Sequence, residues 1–92
     1  GQNPNFAEAW NKRATVYYML GEFDKSMFDI NETLRLEPRH FGALDGMALI
    51  FIHQKKYNKA LKVYEEIIKI FPKSKKTQEK KQKILDNISK QA

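Results

Sequence analysis

Apolar residues recur along this chain at spacings of three and four, the period of an amphipathic helix. Trp10, Ala14, Tyr17 and Leu20 form one stripe, and Phe23, Met27, Ile30 and Leu34 form the next. Leu44, Met47, Ala48 and Phe51 follow, and then Tyr57, Ala60, Leu61, Tyr64, Ile67 and Ile68. Only Gly21-Glu22 separates the first pair of stripes and Lys55-Lys56 the second. Breaks that short imply antiparallel helical hairpins. A last stripe, Thr77, Ile84, Leu85 and Ile88, is set among Lys, Gln, Glu and Asn. The pattern predicts an all-α chain of about five antiparallel helices.

The hairpins repeat. Pro4, Pro38 and Pro72 stand 34 residues apart, and the same shift lays Ala9-Trp10 on Ala43-Leu44, Ala14 on Ala48 and Tyr17 on Phe51. It also lays Phe23 on Tyr57, Ser26 on Ala60, Ile30 on Tyr64 and Leu34-Arg35-Leu36 on Ile68-Lys69-Ile70. Large residues meet large ones and small meet small. Ala14, Ser26, Ala48 and Ala60 would let paired helices approach closely, where bulk would overpack the contact. Local signals place the helix ends. Asn5 with Glu8 has capping-box spacing, and Ser74 can cap the last helix. Pro38 and Pro72 disfavour helical geometry in the residue before them.

Trp10-x-x-Arg13-Ala14-x-x-Tyr17, followed by Ser26-x-x-x-Ile30 and Pro38, resembles a tetratricopeptide repeat. Leu44-x-x-Met47-Ala48-x-x-Phe51, followed by Ala60-x-x-x-Tyr64 and Pro72, resembles a second. The resemblance covers roughly residues 7–74 and implies an α-solenoid. It divides the chain into repeat 1 (7–40), repeat 2 (41–73) and a C-terminal capping helix (74–92). Residues 1–6 read as the tail of a preceding repeat or a vector-derived remnant. On that reading the chain is the C-terminal piece of a longer array, with apolar surface on its first helix left uncovered. Repeats of this kind usually carry an apolar residue where Arg13 stands. Some pair that arginine with an acid at the place of Asp29, whereas the second unit holds Met47 and Val63 there. Arg13 and Asp29 are therefore expected to form a structural ion pair within the first repeat.

Composition changes this picture mainly at the tail. Residues 1–72 carry ten Lys/Arg against nine Asp/Glu, and residues 73–92 carry seven Lys against Glu79 and Asp86. Almost all of the +6 net charge thus lies at the C-terminus. A solubilising outer face accounts for the lysines. Nucleic acid is the disfavoured partner, since no aromatic residue is interleaved to stack bases. With no cysteine there is no disulfide framework or thiolate metal site. No apolar run approaches the ~20 residues of a membrane span, and no signal peptide is visible. These features leave the compartment open, with a soluble cytoplasmic protein as the default and the bacterial periplasm as an alternative. His40 and His53 are isolated, and no HExxH, phosphate loop or nucleophile elbow is present. Catalytic, cofactor and metal residues are expected to be none, and the chain is not expected to be an enzyme.

The resemblance also implies where a partner sits. The first helices of tetratricopeptide hairpins form the inner wall of a right-handed spiral. Here that wall would show Asn11, Thr15, Tyr18 and Met19, joined by Asp45, Leu49, Ile52 and His53, with Glu8 and Gly42 beside them. Leu49 and Ile52 have no evident core duty in the motif, so they suggest a side-chain pocket or a contact with another chain. Gly42 and Gly46 either admit a close-approaching backbone or relieve crowding against the first helix. The family's carboxylate clamp is absent, because Asn11, Thr15 and Gly46 stand where it needs Lys, Asn and Asn. The expected function is a protein–protein interaction scaffold holding an unidentified protein or peptide in the groove. One alternative is a self-association module forming a homo-oligomer through the exposed first helix. Another is a basic adaptor that meets an acidic partner, nucleic acid or membrane through the C-terminal helix.

Overall fold

The computed structural model describes residues 4–91. Five helices follow one another: α1 (Pro4–Met19), α2 (Phe23–Leu36), α3 (Phe41–His53), α4 (Tyr57–Ile70) and α5 (Lys75–Gln91). No strand occurs among the described residues. Residues 4–6 belong to the first turn of α1, so only residues 1–3 of the expected tail lie outside the described part. Asn5 is accordingly inside the helix and not at its cap. Glu8 does not close a capping box either: its carboxylate meets the His40 ring.

Each hairpin turns by the same device. The Glu22 N–H donates to Tyr17 O at 2.8 Å and the Gly21 N–H to Tyr18 O at 3.0 Å. In the second hairpin Lys56 donates to Phe51 O at 2.8 Å and Lys55 to Ile52 O at 2.9 Å. This pair of bonds is the Schellman motif, which needs a left-handed residue just past the helix. Gly21 has φ 77° and Lys55 φ 60°. Thirty-four positions apart in sequence, the two therefore do the same work. The α3 start is capped by the His40 Nδ1, which accepts from the Ala43 N–H at 3.0 Å. Ser74 caps α5, its Oγ accepting from the Thr77 N–H at 3.3 Å.

Two core clusters lie between the layers. Ala14, Ile30, Ala43 and Ile50 are buried in the first, with Phe23, Met27, Leu34 and Met47 packed on them. Ala48, Tyr64, Ile67 and Ile84 are buried in the second, which joins the second hairpin to α5. The close approach of α1 and α2 rests on Ser26, whose hydroxyl donates to Ala14 O at 2.7 Å. A buried hydroxyl is tolerated because that bond satisfies it. The sequence pattern misjudged three positions. Leu20 lies beyond the end of α1 and is exposed, as is Leu85 on α5. Ile50, absent from the predicted stripe, is fully buried. With Ala43 and Met47 it is an α3 side chain that meets the first hairpin.

Candidate functional site

The first helices of the two hairpins stand side by side and leave a groove between them. A cavity of about 320 Å³ opens there. Asn11, Thr15, Tyr18 and Met19 of α1 line it, and so do Asp45 and Leu49 of α3. These are six of the eight residues that the sequence assigns to a partner groove. Gly42, which the sequence already placed beside the wall, completes the lining together with Ala14, Ser26, Ile30 and Gly46, which it did not assign to the wall. The signal was present in the small residues: Ala14 and Ser26 leave the floor low, and Gly46 lets the Ile30 side chain show through.

The two remaining residues serve other ends. Ile52 is half-buried and packs on the second core cluster, towards α5. It does have a core duty, which the motif pattern hid because the α5 contact is not part of the repeat. His53 does not line the cavity. Its Nε2 lies 2.9 Å from the Tyr18 hydroxyl, and its ring sits 5.2 Å from that of Phe23. It ties the end of α3 to the end of α1. His40 does the same at the other end, since its Nε2 meets the Glu8 carboxylate of α1. With Nδ1 accepting from the Ala43 N–H, the ring proton belongs on Nε2, where it donates to Glu8. The two histidines thus bracket the groove.

The polar groups of the wall are partly engaged. Thr15 Oγ1 donates to Asn11 O at 3.0 Å, which leaves the Asn11 amide group as the adaptable one. Asp45 Oδ1 accepts from Lys80 Nζ of α5 at 2.9 Å. Beneath them Tyr64 is buried, and burial pushes its hydroxyl pKa up to about 12, with the Asp45 charge adding to the shift. Gly42 relieves crowding, because a Cβ there would lie 3.2 Å from Asn11 Nδ2 and 3.2 Å from the His40 ring. At Gly46 a Cβ would lie 3.4 Å from Ile30 Cδ1, on the floor.

On the far side of α1, Arg13 Nε donates to Asp29 Oδ2 at 2.7 Å and Nη2 to Oδ1 at 2.9 Å. These bonds raise the arginine pKa above its ordinary value, against a smaller desolvation effect. The guanidinium also lies 5.2 Å from the Trp10 ring centre and 5.6 Å from that of Tyr17. A second cavity of about 310 Å³, bounded by Phe6, Ala9, Trp10 and Arg13, opens on this face. Among the described residues no three His, Asp or Glu side chains gather as a metal site would require. No described helix is long and apolar enough to cross a membrane.

Paired antiparallel helices, repeated at 34 residues with a groove along their first members, define an all-α helical-repeat protein. The tetratricopeptide repeat profile matches residues 7–40 and 41–74, and the chain belongs to that family. A TPR repeat-containing protein of Rhizobium etli is 40% identical over 86 residues, which cover 94% of this chain and 42% of that protein. Hsp70-Hsp90 organizing protein 3 of Arabidopsis thaliana is 27% identical over 97% of this chain and 16% of its own length. Hsp70-Hsp90 organizing protein 1 of Glycine max is 29% identical over 95% and 14%. The chain thus spans less than half of the curated relatives it matches. Proteins of this family generally act as non-enzymatic scaffolds for other proteins.

Proposed function

We propose that this chain is a protein-interaction module that holds a partner polypeptide in the groove between α1 and α3. The observation that carries the reading is the cavity of about 320 Å³, with an apolar floor of Ala14, Ile30 and Leu49 and polar groups at Asn11 and Asp45. A recess that is mostly apolar, with a few oriented polar groups, is the usual form of a binding site. Its size suits one or two side chains of a peptide better than a large cofactor. Family membership supports the class of function, and the names of the two plant relatives point the same way. Neither names this chain's partner.

The test is to pan a displayed random-peptide library against the 92-residue chain and to measure recovered peptides on a Leu49→Asp variant. Leu49 is only half-buried, so the helix should survive, as circular dichroism would verify. A loss of about tenfold or more in affinity, or ~1.4 kcal/mol, is expected. Peptides that bind both forms equally would place the site elsewhere.

One observation favours a second reading, self-association. Phe6 and Phe28 are 61% and 59% exposed beside Trp10, and Trp10 meets Phe28 edge-on at 6.2 Å between ring centres. Sedimentation across a concentration series tests it: a monomer at the highest concentration removes this reading.

A further inference from the structure

The 34-residue shift that aligns the hairpins also aligns one stripe on α1, α3 and α5. Ala43 and Ile50 of α3 are fully buried, packed against the first hairpin. One shift on, Thr77 and Ile84 of α5 are buried in turn, Ile84 against the second hairpin. One shift back stand Ala9 and Val16 of α1, and both are exposed. The faces of α2 and α4 that cover such stripes are already taken, by α3 and by α5. A second copy of this chain thus has no such face to lay on α1. The α1 stripe also differs in kind. Phe6, Arg13 and Leu20 stand where α3 has His40, Met47 and Gln54. Met47 packs on the first core cluster, and an apolar helix laid over Arg13 in the same way would desolvate a guanidinium.

The stripe is instead complementary to itself. Phe6, Ala9, Trp10 and Arg13 bound the second cavity, of about 310 Å³, at spacings i, i+3, i+4 and i+7. Four residues so spaced form the hole that receives a knob from a facing helix. Ala9 keeps its floor low, and Arg13, drawn towards Asp29, forms one rim. Phe28 widens the rim beside Trp10. The knob lies on the other half of the stripe. Leu20 is 68% exposed, and its N–H still donates to Val16 O at 3.0 Å, which carries helical geometry one residue past Met19. From Ala9 to Leu20 is about three turns, so hole and knob point the same way.

We propose that two copies of this chain pair through α1, antiparallel about a two-fold axis, each setting its Leu20 into the other's hole over Ala9. The proposal rests on the self-association reading above and names the surface that carries it. Charge selects the register. With Val16 as the knob, Lys12 and Arg13 would face their own copies across the axis, and like charges opposed at an interface are costly. With Leu20 as the knob, Arg13 faces the other copy's Tyr17, the kind of ring it already meets at 5.6 Å within its own chain. Phe6, Val16, Leu20 and Phe28 together expose on the order of 400 Å² of apolar surface, about half of what each partner gives to a standard interface. A dimer that dissociates in the micromolar range follows. The groove lies on the opposite side of α1, where Asn11, Thr15 and Tyr18 line it. Pairing therefore leaves both grooves open, and a ligand with two binding segments gains avidity from the pair.

Sedimentation of the 92-residue chain from about 5 to about 500 μM should show monomer passing to dimer and no further, as a closed two-fold pair requires. Leu20→Glu should weaken the dimer by about tenfold or more, and so should Ala9→Gln, which fills the hole with a polar side chain. Met19→Glu is the control: Met19 is next in sequence and 78% exposed, but it lines the groove. It should change the dimer by less than about twofold. Circular dichroism on each variant checks that the helices persist. The chain has no cysteine of its own, so Ala9→Cys/Leu20→Cys should link two copies on mild oxidation. Neither single variant should, because each of these residues lies about 16 Å along the helix from its own copy. A dimer that Leu20→Glu leaves intact, or that Met19→Glu weakens as much, would overturn the proposal and leave self-association standing. So would single cysteine variants that link as readily as the double, or a mass that keeps growing with concentration. A monomer at the highest concentration would remove both, and leave the stripe to a helix of another polypeptide.

Discussion

The Arg13 guanidinium meets the Asp29 carboxylate through two bonds, 2.7 and 2.9 Å long, yet the two side chains sit in unlike surroundings. Asp29 is 1% exposed and Arg13 54%. The partners should therefore differ in what their loss costs. In Arg13→Met a buried carboxylate is left without its cation, which is the expensive half of a broken pair. In Asp29→Val the stranded arginine can be hydrated where it stands. Repeat 2 already holds Met47 and Val63 at these places, so the double variant should recover much of the loss. Thermal melts should rank Arg13→Met lowest, Asp29→Val above it and the double variant higher still. Equal losses in the two single variants would mean that the buried carboxylate is not the dominant cost.

Gly21 and Lys55 occupy the same left-handed place in two successive turns, and only glycine does so without strain. A side chain in that region costs about 1–2 kcal/mol, partly offset by the greater freedom glycine loses on folding. Lys55→Gly should then stabilise the chain by about 0.5–1 kcal/mol. Gly21→Ala should destabilise it by about 1 kcal/mol. A Cβ at Gly21 would meet nothing within 4 Å, so its loss would come from the backbone alone. Urea titrations would read both, and opposite signs are the decisive outcome.

Gly46 and Gly42 lie inside α3, where glycine costs about 1 kcal/mol relative to alanine. At Gly46 the nearest obstacle is the flexible end of Ile30, 3.4 Å from the new Cβ. At Gly42 the obstacles lie nearer, at 3.2 Å, and His40 is held by its capping and Glu8 contacts. Gly46→Ala should therefore stabilise by about 0.5–1 kcal/mol and Gly42→Ala by less. Because Gly46 lines the cavity, its variant should also weaken a bound peptide. Gain of stability with unchanged binding would show that the cavity floor is not in use.

The repeat was legible because it is written twice: one shift of 34 residues aligns prolines, small residues and aromatics together. Helix type and order followed from the period alone, and most of the groove wall from the family pattern. Facing was harder to read in α3. Its sequence, FGALDGMALIFIH, is apolar nearly all round, so periodicity cannot say which side is covered. That is why Ile50 went unnoticed and Ile52 looked free. Leu20 and Leu85 fail in the opposite sense, since their spacing fits a stripe but both are left exposed. The ties across the groove, His40 to Glu8 and His53 to Tyr18, join residues more than 30 positions apart. Nothing local in the sequence marks such a pairing.

Tyr64 supplies a test of the second core at high pH. It is 1% exposed, and burial pushes its pKa up to about 12 from an ordinary value of 10.0. Above pH 10 the unfolded chain releases this proton while the folded chain retains it. The folded state then binds more protons, so stability must fall as pH rises through that window. Two units correspond to a loss on the order of 2–3 kcal/mol by pH 12. Tyr64→Phe removes the titrating group and keeps the ring between Ala48, Ile67 and Ile84. All other ionisable groups are common to the two proteins, so the difference between them isolates the tyrosine. Urea titrations from pH 9 to 12 should show the unaltered chain losing stability faster than the variant, with the gap opening near pH 10. Parallel curves would mean that the hydroxyl ionises as readily in the folded chain as in the unfolded one.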